Sequence, residues 1–149
     1  MSHARYDCGP GCPVEAALEM IGGKWKGSIL WLLAEAPARF NVLRRLLGDP
    51  PARSLSDQLQ ALEEDGLILR TVGAGRPPAV TYALSAKGER LRPLLDALAD
   101  LGVAHLLERG VALPDDRATR ARIRALGDAS VDDRVADRAC GDEVKDHAQ

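Results

Sequence analysis

The chain has very few aromatic residues: two Trp, two Tyr and one Phe make up 3% of its 149 residues. A hydrophobic core must therefore be built mainly from Leu, Val, Ile and Ala, and a hydrophobic content of 46% is enough for one such core. No apolar run is long enough for a membrane-spanning helix or a signal peptide. We therefore expect a cytoplasmic protein without a membrane partner.

Residues suited to catalysis or metal binding are also scarce. The three histidines are dispersed, and the sequence contains no phosphate-binding loop, no nucleophile elbow and no HExxH motif. Three cysteines are too few for a disulfide scaffold. His3, Cys8 and Cys12 are loosely spaced and lack an evident fourth ligand for zinc. We therefore expect no enzymatic activity, no metal site and no cofactor.

Charge is unevenly distributed, although the net charge is only −2. Basic residues outnumber acidic ones between Lys24 and Arg92, whereas acidic residues dominate from Leu94 to the C-terminus. An anionic partner responds to the local field rather than to the total charge. The central part of the chain is therefore compatible with nucleic-acid binding.

Apolar residues recur at helical spacing through the first half of the chain. Pro13 suits the first position of a helix that Gly22-Gly23 ends, and a second helix is predicted from about Lys24 to Ala36. Asn41 and Asp49 are predicted to cap a third and a fourth helix.

A β-hairpin is predicted around GAGRPPAVTY, residues 73–82, because apolar runs flank a loop rich in Gly and Pro. Ser85 is then predicted to cap one long helix from about Ala86 to Leu107. Residues 110–149 have few large aliphatic side chains, so we expect a helix around 115–126 at most and otherwise disorder. The predicted organisation is an arm (1–12), a domain (13–109) and an acidic extension (110–149).

This order of elements predicts a mainly α (α+β) fold, a winged helix-turn-helix with a two-stranded β wing. In such folds the later helix enters the major groove and the ribbon reaches the flanking backbone or the minor groove. Arg76, alone at the tip of the ribbon, would suit a narrow minor groove, which concentrates negative potential. The alternative is that Arg76 is a solvated turn residue.

Four segments, CPVEAALEMIGGKWKGSIL, RFNVLRRLL, QLQALEEDGLI and RPPAVTYALSAKG, resemble in order the HxlR-type transcriptional regulators, relatives of the MarR group. The resemblance covers about residues 8–107. It implies a homodimer that binds double-stranded DNA at a pseudo-palindromic operator, with the N- and C-terminal helices forming the dimer interface. Some members sense oxidants, quinones or aldehydes through a cysteine that precedes the first helix, which corresponds to Cys12.

The candidate DNA-binding residues lie around the third helix, on the fourth helix and on the wing. Asp57 could accept a hydrogen bond from a cytosine amino group, or it could pair with Arg53 four residues earlier on the same helix. The full predicted set is Arg39, Arg44, Arg45, Arg53, Ser54, Ser56, Asp57, Gln60 and Arg76.

The candidate dimer interface combines the first helix with the leucine stripe of the last. One winged-helix unit would bury too little of this stripe by itself, so a second copy is expected to cover it. The predicted interface residues are Val14, Ala17, Leu18, Ile21, Leu91, Leu94, Leu98 and Leu101.

Cys12 directly precedes Pro13, which places it at or next to the N-cap of the first helix. Unpaired amides and the positive end of the helix dipole stabilise a thiolate there. Cys8, four residues away across a Gly-Pro-Gly turn, is predicted to be the resolving thiol. The alternative is an inert cysteine that fills space near the helix start.

Two other functions remain open. The long amphipathic helix would also suit a dimeric module that binds another protein. A small-molecule inducer could instead bind near Trp25 or Trp31, since Gly27 and Ser28 are small enough to leave a pocket or simply to repack a dimer contact.

Overall fold

The computed structural model describes residues 11–113 together with Ala121, Arg124 and Ala125. Most of the chain is helical, and a small antiparallel sheet lies beside the helices. This arrangement confirms the predicted winged helix-turn-helix. The elements follow in the order α1 (Pro13–Ile21), α2 (Lys26–Glu35), β1 (Ala38–Arg39), α3 (Phe40–Leu46), α4 (Ala52–Glu64), β2 (Ile68–Val72), β3 (Val80–Leu84), α5 (Ala86–Glu89) and α6 (Arg92–Glu108).

The sheet has three strands in the order β1-β3-β2, so the expectation of only a two-stranded wing was incomplete. β1 pairs with β3 through Ala38 opposite Tyr82, and β2 pairs with β3 from Ile68 opposite Leu84 to Val72 opposite Val80. A strand of two residues has no alternation for a sequence pattern to show. The wing is therefore joined at its base to the segment that leads into α3.

Two of the predicted helix caps were wrong. The N-cap residue of α3 is Arg39 rather than Asn41, and that of α4 is Pro51 rather than Asp49. Gly48 and Asp49 have φ values of 80° and 56°, so two consecutive left-handed residues make the turn between α3 and α4. A residue in this conformation lacks the extended backbone that is typical of an N-cap.

The start of α2 also lies later than predicted, at Lys26 rather than Lys24. Trp25 has a φ of 80°, a left-handed conformation that is uncommon for a bulky residue. Its ring packs against the core, and the Lys24 Nζ atom lies 5.2 Å from the ring centroid. Trp25 is therefore a half-buried residue at which the backbone turns into α2, rather than a residue within the helix.

The predicted long helix over 86–107 is two helices, α5 and α6, separated by a turn at residues 90–91. Pro93 explains the break, because its ring lacks an amide proton and would clash with the carbonyl of Glu89 in a continuous helix. Arg92 bridges the break with Nε 2.8 Å and Nη2 3.1 Å from the two oxygens of Glu89, and this contact lowers the pKa of the Glu89 carboxyl. The third guanidinium nitrogen donates to the Ala34 carbonyl and so ties α6 to α2.

The core lies between α2, α4 and the sheet. The predicted apolar spacing of the fourth helix is confirmed, since Leu55, Leu59 and Leu62 are all buried. The largest fully buried side chains are Ile29, Leu30, Leu43, Leu55, Leu59, Leu62, Leu67 and Ile68.

Ser85 joins α4, β3 and α5, as expected for a cap. Its hydroxyl oxygen accepts a 3.0 Å hydrogen bond from the amide of Gly88 and donates a 2.6 Å bond to the carbonyl of Gly66. Gly88 lies so close to the carbonyl of Leu67 that an added Cβ would collide with it. This close approach lets α5 pack directly on the start of β2.

Residues 1–10 of the predicted arm, with Cys8 among them, and most of the predicted extension lie outside the described residues. Ala121, Arg124 and Ala125 are helical, and Arg124 Nη2 lies 3.0 Å from the Glu35 carboxylate. Within the described residues, no helix is long and apolar enough to cross a membrane. The same part of the chain contains no cluster of three His, Cys, Asp or Glu suited to a metal ion.

Candidate nucleic-acid interface

α4 has one buried and one exposed face. Opposite the leucines that enter the core, the side chains of Arg53, Ser56, Asp57 and Gln60 are exposed, while Ser54 is half-buried. Base contacts in helix-turn-helix proteins come mainly from the N-terminal residues of the second helix. The exposed polar residues of this half of α4 are therefore suited to meet a major groove.

Arg53 and Asp57 do not pair with each other. Among the ion pairs of the described residues none joins these two side chains, so the pairing considered from their spacing does not form. Both groups are therefore available to an external partner. Gln60 differs, because its Nε2 atom donates to the Glu64 carboxylate at 2.9 Å.

Arg44 and Arg45 occupy different environments. Nε of Arg44 donates to the Pro50 carbonyl at 3.0 Å and lies 4.0 Å from the Asp49 carboxylate, so this side chain braces the turn between α3 and α4. Arg45 is exposed, whereas Arg39 is half-buried in β1. Of these three arginines, Arg45 is the most accessible to a phosphate.

The wing carries two exposed arginines rather than one. Arg76 lies in the loop between β2 and β3, and Arg70 lies on β2 opposite Tyr82. The sequence prediction did not include Arg70, because it placed the DNA contact of the wing at the loop rather than on the strand. The available signal in the sequence was a basic residue on the first wing strand, a few residues after the end of α4. A polar cleft of about 530 Å³ brings Arg70 and Tyr82 together with Ser56 and Gln60 of α4.

The cleft is acidic where it meets the C-terminal end of α4, since Glu63 and Glu64 also line it. Carboxylates repel the phosphate backbone of DNA. This end of the cleft is therefore less suited to a nucleic-acid contact than Arg45, the N-terminal half of α4 and the wing.

The predicted dimer residues divide into two groups. No residue of α1 is buried, and Val14 and Leu101 are 64% and 68% exposed. Ile21 and Leu91 instead pack against the core of their own protomer, and Ala17 is half-buried. The exposed large hydrophobic residues of the predicted set are Val14, Leu18, Leu94, Leu98 and Leu101.

Cys12 is the N-cap residue of α1, as its place before Pro13 indicates. Its carbonyl accepts a 3.0 Å hydrogen bond from the amide of Ala16, and its sulfur is a buried thiol. The position is thus the one expected for a sensing cysteine, while the burial is what the packing interpretation expects.

Comparison with known proteins decides the family. Residues 20–109 match the model of the HxlR-like helix-turn-helix proteins. The chain belongs to this HxlR-like family. It is 45% identical over 92 residues to the HTH-type transcriptional regulator YdeP of Bacillus subtilis (strain 168), a match that covers 62% of this chain and 72% of YdeP.

Solved structures agree with the HxlR-like assignment. The redox regulator HypR in its reduced form is similar with a TM-score of 0.62 and 37% identity, covering 65% of this chain and 98% of that one. Its oxidised form gives a TM-score of 0.60 and 39% identity, covering 62% and 96%. The chain is therefore a helix-turn-helix transcriptional regulator of a DNA-binding, non-enzymatic family, and the resemblance noted in its sequence is confirmed.

Proposed function

We propose that the chain binds a pseudo-palindromic operator as a homodimer and that modification of Cys12 releases the DNA. The observation that carries the DNA-binding part is the exposed polar face of α4 beside a wing with two exposed arginines. α4 presents Arg53 and Asp57 to base edges, while Arg45, Arg70 and Arg76 supply positive charge for phosphates or a narrow groove.

The homodimer is supported by the two apolar surfaces on α1 and α6. An isolated protomer leaves Val14, Leu18 and Leu101 largely exposed, which costs free energy in water. A twofold axis through these helices would bring both surfaces together in an isologous interface. It would also place two copies of α4 about one DNA turn, roughly 34 Å, apart.

Two arginine substitutions test how the operator is read. After bound genomic fragments have defined the preferred site, Arg53→Ala should weaken binding to it by about 1–3 kcal/mol if the side chain reads a guanine edge. Arg76→Ala should weaken binding to all sequences and reduce the salt slope by about one unit. Fluorescence anisotropy with labelled duplex at several salt concentrations measures both effects.

Arg109→Ala is the matched control, because it removes one exposed positive charge at the end of α6. It should leave the affinity and the salt slope close to those of the unmodified protein. Affinities unchanged in both Arg53→Ala and Arg76→Ala would refute the proposed interface.

The proposed switch rests on the position of Cys12 and on the similarity to HypR, a redox regulator solved in oxidised and reduced forms. The family match begins at residue 20, after this cysteine, so the thiol chemistry is a separate part of the proposal. Cys12 is buried, so the reagent reaches its sulfur only when the start of α1 opens locally. Peroxide then converts the thiolate to a sulfenic acid, and the Cys8 thiol condenses with it to form a disulfide and water.

Cys12→Ser tests this switch directly. A labelled operator complex is titrated with hydrogen peroxide, with a disulfide-forming oxidant and with a quinone. The unmodified protein should lose DNA with each reagent, while Cys12→Ser should retain it and Cys140→Ser should behave like the unmodified protein. Equal responses of the unmodified protein and Cys12→Ser to all three reagents would return Cys12 to a packing role.

A further inference from the structure

A cavity of about 690 Å³ lies between α2 and α6. Small residues face each other across it, with Gly27 and Ser28 on α2 and Ala99 and Gly102 on α6. These positions leave the two helices without the side chains that would normally interdigitate and fill the space between them. The cavity is within the range of about 300–1,000 Å³ that is typical of small-molecule sites.

The lining of this cavity determines which molecules fit it. None of the lining residues carries a charge, and their side chains are mostly aliphatic, as at Leu95 and Leu106. Trp31 supplies an aromatic surface, and Ser28 supplies a hydroxyl group. Trp25, the other tryptophan considered from the sequence, packs against the core and does not line this space. The rim of the cavity is open, since Ser28, Val103 and Leu107 are exposed. A charged ligand would still lose hydration on the side that faces the lining without gaining a counter-charge.

The cavity shares only Leu98 with the surface proposed for the second copy. Residues of a helix advance by about 100° each, so Leu95, Ala99 and Gly102 share one face of α6. Leu94 and Leu101 lie roughly a third of a turn away and do not line the cavity. Leu98 lies at the shared edge of the two surfaces. A partner helix seated on Leu94 and Leu101 therefore leaves the cavity face uncovered.

We propose that the α2–α6 cavity binds a neutral fused-ring aromatic molecule that carries a hydroxyl group. The rings stack against Trp31 and contact the leucines of α6, and the hydroxyl group pairs with that of Ser28. The ligand lies between α2 and α6. α2 packs on α4, the helix proposed to read the operator, and α6 carries the proposed dimer leucines. A ligand that fits one spacing of these helices better than another shifts the protein toward that spacing. Its effect on the operator rests on the proposed function, whereas the binding site does not.

The test uses the full chain and 1-naphthol as the probe in isothermal titration calorimetry. One molecule should bind per protomer with a Kd on the order of 10–100 µM, and burial of apolar surface should give a negative heat-capacity change. 1-Naphthoate has the same rings and a carboxylate, so it should bind at least about tenfold more weakly in this uncharged lining.

Gly102→Leu should place a side chain in the middle of the cavity and leave the fold intact. An added Cβ at Gly102 meets no atom within 4 Å, and leucine is a better helix former than glycine. This variant should retain or raise the melting temperature and bind 1-naphthol at least about tenfold more weakly. The matched control is Ala104→Leu, which adds a leucine at an exposed position of the same helix outside the cavity lining and should bind like the unmodified protein.

Three results would overturn the proposal. They are no binding of 1-naphthol up to about 1 mM, equal binding by Gly102→Leu, or equal binding of 1-naphthol and 1-naphthoate. Because the titration contains no DNA, its outcome is independent of whether the proposed operator binding is correct.

Discussion

Leu101→Asp should convert the protein to a monomer and lower its operator affinity by about 100-fold or more. Leu101 is 68% exposed in the protomer, so the substitution leaves the fold of a single chain largely intact. In the proposed dimer the same change places an unpaired carboxylate in an apolar interface. In a twofold interface the substituted residue occurs twice, so the penalty is paid in both copies. A monomer can occupy only one half-site at a time, which weakens its binding to the operator.

Sedimentation velocity at micromolar concentration, together with anisotropy on the operator, measures these effects. Asp100→Lys changes the charge at another exposed position of α6, on the side away from the leucine stripe, and should remain dimeric. The dimer proposal fails if the unmodified protein is already monomeric under these conditions. It also fails if Leu101→Asp sediments as a dimer.

Gly88→Ala should destabilise the protein by about 2–3 kcal/mol, although alanine is a better helix former than glycine. The added methyl group would collide with the backbone carbonyl of Leu67 and press on the side chain of Leu84. Relief of this clash requires α5 to move away from β2, which would stretch the hydrogen bond between Ser85 and Gly66. Urea denaturation followed by circular dichroism measures the change in the free energy of unfolding.

Gly102→Ala is the internal control, because it is the same substitution in a neighbouring helix where the added methyl group meets open space. It should stabilise the protein by up to about 1 kcal/mol. A loss of stability in Gly88→Ala together with a gain in Gly102→Ala would show that close packing, rather than helix propensity, determines the effect of the substitution at Gly88. A neutral or stabilising Gly88→Ala would contradict the described approach of α5 to Leu67.

The elements that the sequence predicted well are those with a local cause. The leucines of α4 repeat at helical spacing, and the cap of Ser85 depends on residues within one turn, so both were predictable. The strand β1 forms only because β3 pairs with it, and Asp49 is left-handed because of the tight turn between α3 and α4. Neither feature was predictable from the local sequence. The break before α6 was the exception, because Pro93 was a local signal that the apolar stripe concealed.

Site residues show the same division. The exposed face of α4 follows from its buried face, so the accessibility of Arg53 and Asp57 was predictable. The bond from Arg44 to the Pro50 carbonyl depends on how the turn folds back, and no spacing in the sequence encodes it. The small residues of α2 hinted at a space near Trp31, but its size depends on Ala99 and Gly102, which lie far along the chain.

The division of α4 into a core face and an outward face has a consequence for how such regulators diversify. Exposed side chains that contact nothing else in the chain can be exchanged with changes in stability of about 0.5 kcal/mol or less. Substitutions at Arg53, Ser56 or Asp57 can therefore accumulate while the leucines beneath them keep the helix in place. If the exposed face reads the operator as proposed, a duplicated gene could drift toward a new target site without first acquiring compensating changes, because recognition and folding would depend on different residues of one helix.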